Sequence, residues 1–122
     1  MDAFPADLSA SGVRAVVQKQ RDKLEAAQQN LLVQTRLRVY NQIMADARRE
    51  AKPGDPKRYS TLELPDALGH ECKRQLVREL CARFPGKVAY RRVVEYLDVD
   101  EFLMIKDEAN PPVSFDYRVH FE

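Results

Sequence analysis

The chain has 122 residues, of which 44% are hydrophobic and 32% charged, with 20 Lys and Arg against 19 Asp and Glu. This length predicts one domain, or one small domain with an appendage, and excludes a doubly wound nucleotide-binding enzyme with a separate substrate domain. No run of ~18 uncharged apolar residues occurs, so no membrane span is expected. The acidic amino terminus predicts no secretory signal, and two cysteines fit a reducing compartment, the cytoplasm or the nucleus.

Charge is distributed unevenly along the chain. Residues 1–50 carry a net charge of +2, residues 51–92 a net charge of +5, and residues 93–122 a net charge of −6. Basic helices and acidic strands that neutralise each other within one fold would produce this pattern. Charge matching between neighbouring subunits, or a basic face that meets an acidic partner, would produce it equally.

The first fifty residues predict a short arm followed by one long helix. Residues 1–10 contain Phe4 and Leu8 among small and acidic residues, which is typical of a flexible arm. Ser9 or Ser11 can cap a helix assigned to residues 11–50, in which the 38 residues 13–50 contain good helix formers and neither proline nor glycine. Such a helix would be ~57 Å long, which exceeds the diameter of a domain of this size.

Two apolar patterns divide this helix. A narrow stripe of coiled-coil type, which we call the seam, is interrupted by polar Gln20 and consists of Val13, Val17, Leu24, Ala27 and Leu31. A broad apolar arc then lies roughly opposite the seam and consists of Leu32, Val33, Leu37, Val39, Tyr40, Ile43, Met44 and Ala47. Residues 32–47 are therefore expected to face the chain's own domain and residues 13–31 a partner. A bend that lets one domain bury both faces is the alternative.

The second half predicts a small α+β domain over residues 59–122. Two prolines and a glycine in residues 51–58 predict a turn or linker, and residues 59–64 a short extended piece. A second helix is expected over residues 65–84, with Pro65 in its first turn. Three strands are expected after it, over 87–97, 102–105 and 113–121, with a turn at 98–101. The fold class is thus α+β, with a long N-terminal helix, a second helix and a three-stranded antiparallel sheet.

The last strand has the clearest alternation in the chain. Odd-numbered apolar residues are expected to face inward and even-numbered polar ones outward, the inward set being Val113, Phe115, Tyr117, Val119 and Phe121.

Candidate residues for catalysis or metal binding are few. His70 and Cys72 are two positions apart on a predicted helix, so they cannot close on one ion, and both cysteines fall on its apolar side. Two histidines and four glycines form no nucleophilic triad and no phosphate loop. We therefore expect no catalytic residue, no metal and no cofactor.

Nucleic-acid binding is the main alternative function. A basic patch that contacts phosphates could form from Lys57, Arg58, Arg74, Arg78 and Arg91. Glu71 and Glu79 lie among these arginines at spacings that favour local pairing instead.

A set of features recurs in order within residues 35–105: Tyr59 through Leu64 and Pro65, then Gly69, Cys72, Leu76, Leu80, Gly86 and the apolar run Phe102–Ile105. In these features the chain resembles small proteins of nucleocytoplasmic large DNA viruses. That family closes on Ile-Ser-Trp, whereas this chain has no Trp. The resemblance implies a virion or capsid-associated role and carries over no functional residue.

These features predict a non-enzymatic structural or assembly protein. The seam would dock on a partner subunit in a homo- or hetero-oligomer, with Phe4 and Leu8 as auxiliary anchors.

Overall fold

A computed structural model describes residues 3–49, 58–94 and 99–121. Residues 51–57 of the turn or linker predicted at 51–58, and residues 95–98, lie outside this part of the chain. In chain order the elements are α1 (Ala10–Arg48), β1 (Tyr59–Glu63), α2 (His70–Arg83), β2 (Val88–Val94), β3 (Val99–Met104) and β4 (Asp116–His120).

The α+β class with a long first helix, a second helix and an antiparallel sheet is confirmed, but the sheet has four strands rather than three. Its order is β1-β4-β2-β3, and neighbouring strands are antiparallel. The extra strand is the extended piece Tyr59–Glu63, which pairs with β4 along its whole length. Ser60 and Leu62 of β1 are buried, whereas the alternate residues Tyr59, Thr61 and Glu63 are exposed and face away from the core.

Both helices contribute to one core on the same face of the sheet. The sheet contributes Leu62, Val88, Tyr117 and Val119, and the helices contribute Leu32, Val39, Ile43, Leu76, Val77, Leu80 and Cys81. Leu64, Leu68 and Ile105 complete this core from connecting segments. The C-terminal strand is therefore held in the centre of the domain.

The buried face of α1 is narrower than the predicted arc. The buried residues of α1 are Leu32, Thr35, Val39, Ile43 and Asp46. Val33, Leu37 and Tyr40, which were expected inside, are about 60% exposed, and Ala47 is exposed as well. The domain covers this helix from one side only, so polar Thr35 and Asp46 are buried in place of those residues.

The second helix begins five residues later than predicted. Leu68 N–H donates to Pro65 O and closes a turn, and Gly69, with extended backbone, caps the helix that starts at His70. Pro65 is therefore not in a first helical turn. The turn allows both Leu64 and Leu68 to be buried. The predicted stop is confirmed at Phe84, and Gly86 has a φ of 69°, which favours glycine.

Two strand predictions were wrong in detail. Residues 99–101 belong to β3 instead of a turn. The last strand starts at Asp116, and Phe115 is 64% exposed instead of facing inward. The reason lies in Tyr117, whose hydroxyl accepts from Ser114 N–H and donates to Pro112 O, so the preceding residues bond locally rather than in the ladder.

Two leucines on α1 test which face is buried. Leu32→Ala should lower the free energy of unfolding by about 2–5 kcal/mol, because Leu32 is fully buried and its truncation leaves a cavity. Leu37→Ala, on the same helix but 61% exposed, should change it by less than about 0.5 kcal/mol. Urea unfolding of both variants measures the difference, and equal losses would contradict this assignment.

Candidate functional site

The amino-terminal end of α1 is built by local hydrogen bonds. Ser9 caps the helix by accepting from Gly12 N–H at 3.1 Å, so Ser9 rather than Ser11 is the cap. A Cβ on residue 12 would lie 2.0 Å from Asp7 O, so glycine is required there. Turns at Leu8 and Ser9 lead into this cap. The segment predicted as a flexible arm thus contains turns in its described part.

Most of the seam is exposed along the first half of α1. Val13, Val17 and Leu24 are 47%, 43% and 62% exposed, and Ala27 is also exposed. From Ala10 to Ala27 the only residue that is not exposed is Gly12. Leu31 differs from the other seam residues because it is half-buried and packs against the core. Phe4 and Leu8, the expected auxiliary anchors, are exposed as well.

Gln28, which follows the exposed stretch of α1, makes a polar contact to the domain. Gln28 Nε2 donates to Ala67 O at 2.9 Å, and its Oε1 accepts from Gly69 N–H at 2.6 Å. This side chain therefore bonds both sides of the turn that leads into α2. The sequence analysis missed Gln28, since a glutamine on a helix carries no signal for a partner 41 positions away.

An ion pair then fixes α1 against α2. Arg36 donates through Nε and Nη2 to the two carboxylate oxygens of Glu79, at 2.8 Å each. This hydrogen bonding raises the pKa of Arg36 and lowers the pKa of Glu79. Both side chains are more than a third exposed, so solvent screens their attraction. The value of the pair lies in its two-point geometry, which sets how the helices cross.

The seam and the buried face of α1 point in different directions. At about 100° per residue, the mean direction of the seam lies about 80° from that of the buried residues, not opposite to it as predicted. From Leu31 onward the domain covers its own side of the helix, and of the seam it reaches only Leu31. At ~1.5 Å per residue, residues 10–27 extend ~27 Å.

The residues of the nucleic-acid alternative do not share one face. Arg74 Nη1 lies 2.6 Å from Glu71 on α2, and Arg91 Nη1 lies 2.7 Å from Asp116 on the sheet. Because α2 covers the opposite face of the sheet from Arg91, these two arginines point to different sides. Arg78 and Arg58 are exposed on α2 and next to β1, and Lys57 lies outside the described residues. Glu79 pairs with Arg36 on α1 instead of with a neighbouring arginine.

The outer face of the sheet carries an arginine between two aromatic rings. Arg118 stacks 4.6 Å from the ring centre of Tyr59 and 3.8 Å from that of Phe102, and Tyr59 also lies 5.8 Å from His120. Its Nε atom is buried without a hydrogen-bond partner. This arrangement could not be predicted from the sequence, because Tyr59 and Phe102 lie on the two edge strands, β1 and β3. Only the order of the strands brings both rings to Arg118.

The described part of the chain has surface grooves where α1 meets β1 and where α1 meets α2. A groove of about 490 Å³ lies between α1 and α2, and is lined among others by Tyr40, Met44, Leu76 and Phe84. Of its charged groups, Glu79 and Arg36 are paired to each other, and Arg83 is exposed. In the described ranges, no three His, Cys, Asp or Glu residues are close enough to hold a metal ion, and no helix is long and apolar enough to cross a membrane.

Comparison with known proteins identifies no relative. No protein-family model, curated protein or solved structure matches the chain.

The ion pair between the helices should make stability depend on pH. Because the fold lowers the pKa of Glu79, its contribution is present above the unfolded pKa, roughly 4.3, and is lost as the pH falls through the folded value. Glu79→Gln should therefore lower the unfolding free energy at pH 7 by up to about 1 kcal/mol and lower it by less at pH ~3. Urea unfolding at both pH values tests this, with exposed Glu63→Gln as the control.

The two thiols should differ in reactivity. Burial, with a smaller effect of Glu108, raises the pKa of Cys81 to about 11, so this residue remains a thiol at neutral pH. Iodoacetamide at pH ~8 should label half-buried Cys72 in the native protein and label Cys81 only after unfolding. Mass spectrometry of the labelled peptides measures this, and native labelling of Cys81 would contradict its burial.

Proposed function

We propose that this protein is a non-enzymatic structural or assembly protein that docks on a partner subunit through the exposed part of α1. The observation that carries the proposal is the row of large apolar side chains on the first half of this helix. Val13, Val17 and Leu24 lie on one stripe and are all more than 40% exposed. Burial of each would contribute roughly 1.5–3 kcal/mol, and the chain's own domain does not provide it.

The mode of attachment supports this function. Gln28 and the pair of Arg36 with Glu79 hold the carboxyl-terminal half of α1 against the domain. A helix that is anchored at one end presents its free end in a defined direction, which lowers the entropy lost on docking. The virion or capsid setting belongs to the same proposal and is supported only by the resemblance of residues 35–105 described above.

Electrostatic binding of nucleic acid has weaker support. Arg74 and Arg91 are paired with carboxylates and point to different sides of the sheet. A duplex that contacts both would have to wrap around the domain, whereas the exposed stripe on α1 needs only one straight partner.

Changing two seam residues should separate docking from folding. Val17→Asp with Leu24→Asp should abolish docking and leave the thermal midpoint unchanged, because neither side chain belongs to the core. Docking is measured as the molar mass of the full chain by light scattering and as binding of a fluorescent helical peptide. This peptide has about four heptads, with Leu on its apolar stripe and Gln beside it, so that hydrophobic docking is read without charge.

The matched control is Ala15→Asp with Gln29→Asp, which adds the same charge on the opposite side of the same helix. Both control residues are exposed, and this variant should behave as the wild type. If the wild-type chain neither self-associates nor binds the peptide, the docking function is wrong. If the seam variant unfolds while the control does not, the stripe belongs to the fold.

A further inference from the structure

The seam has the spacing of a coiled-coil interface. Its positions, including Gln20, recur alternately at four and three residues, so they form the two core positions, a and d, of successive heptads. Val17, Leu24 and Leu31 take the a positions, and Val13, Gln20 and Ala27 take the d positions. The flanking e and g positions face the flanks of any helix that packs on this seam.

These flanking positions carry positive charge and no negative charge. The e positions are Arg14, Arg21 and Gln28, and the g positions are Val16, Lys23 and Asn30. Arg14, Arg21 and Lys23 are exposed, and none of them forms an ion pair with another described residue.

The negative charges of this helix half lie elsewhere. The acidic residues Asp22 and Glu25 occupy the f and b positions, away from the seam, and Asp22 accepts from Gln18 at 2.9 Å. Among the described residues, no carboxylate forms an ion pair with the strip beside the seam.

A second copy of the same helix does not complement this strip. In a parallel pair each g position faces the e position five residues later, so Val16 meets Arg21 and Lys23 meets Gln28, and no opposite charges meet. In an antiparallel pair e positions face e positions and g positions face g positions, so basic residues share the same edge. Like charges at these positions are destabilising, whereas opposite charges set the choice of partner.

A lipid surface and a nucleic acid fit the seam less well. Helices that bind in the membrane interface bury a broad apolar face, commonly with aromatic anchors, but residues 10–31 contain no aromatic side chain and only a narrow stripe. Phosphates would pair with the arginines but would leave Val17 and Leu24 in water. A partner helix would fit both the apolar seam and the basic residues beside it. Its apolar stripe would cover the seam, and its flanking residues would reach Arg14, Arg21 and Lys23.

We propose that the occupant of the seam is an amphipathic helix of a different protein, with apolar a and d positions and acidic residues at e and g. This inference rests on the docking function proposed above and names the chemistry of the partner. Specificity would come from the three basic flanks, and most of the affinity from the apolar residues.

Three peptides that differ only at their flanks test the partner chemistry. All have the apolar stripe of the peptide above, with Glu, Gln or Lys at every e and g position. At ~20 mM salt the Glu peptide should bind the full chain about tenfold more tightly than the Gln peptide, and the Lys peptide should bind most weakly. At about 1 M salt the three affinities should converge, because screening removes the charge contribution.

Two lysines provide a matched pair of variants. Lys23→Glu places a negative charge at a g position and should remove most of the preference for the Glu peptide. Lys19→Glu makes the same change on the same exposed helix, at a c position farther from the seam, and should keep most of it. Equal effects of the two variants would show long-range attraction rather than facing flanks, and would overturn the inference.

The other outcomes separate this inference from the proposed function. Equal binding of the Glu and Gln peptides would overturn the acidic partner and leave seam docking intact, whereas no binding of any peptide would overturn both. Self-association that is lost in the Val17→Asp, Leu24→Asp variant would make a second copy the occupant. Binding to phosphatidylserine vesicles or to duplex DNA at ~150 mM salt, without binding of the Glu peptide, would also overturn the inference.

Discussion

The organisation of this molecule depends on a mismatch between the length of its first helix and the extent of the domain beside it. α1 has 39 residues and extends ~58 Å, while the other elements bury one of its faces only from Leu31 onward. Hydrogen bonds within the helix satisfy its backbone over the whole length, so the amino-terminal half can form without tertiary cover. The helix does not bury its own apolar side chains, and these remain in contact with water unless a second surface covers them.

The anchoring of α1 determines what this exposed half can do. Apolar contact with the core, the ion pair of Arg36 with Glu79 and the bonds of Gln28 to the turn before α2 all act within residues 28–46. They attach the second half of the helix to the domain along one side and leave residues 10–27 without such contacts. A projecting rod of fixed direction suits recognition of another chain, while the described grooves between the elements hold only paired or solvent-exposed charges.

Charge and apolar pattern have separate roles in the proposed docking. The apolar stripe gives a reason to dock, because exposed Val and Leu side chains gain free energy on burial. Arg14, Arg21 and Lys23 determine the choice of partner in this proposal, since a second copy offers them no opposite charge and an acidic helix does. Within the acidic segment 93–122, Asp116 pairs with Arg91 and Glu108 accepts from Gly86 N–H, so these two carboxylates make contacts within the domain.

Local patterns by themselves determined the presence of the long helix, the second helix, three of the strands and the α+β class. They also determined that Val13, Val17 and Leu24 form a stripe, because periodicity reports which residues share a face. Tertiary structure decided which faces are covered, since Thr35 and Asp46 are buried while Leu37 and Tyr40 are not. It also decided that Tyr59–Glu63 pairs as a strand, that Gln28 bonds the turn before α2, and that Arg118 stacks between two aromatic rings. These outcomes depend on where distant segments meet, and hydrophobic periodicity along one segment carries no information about the position of another.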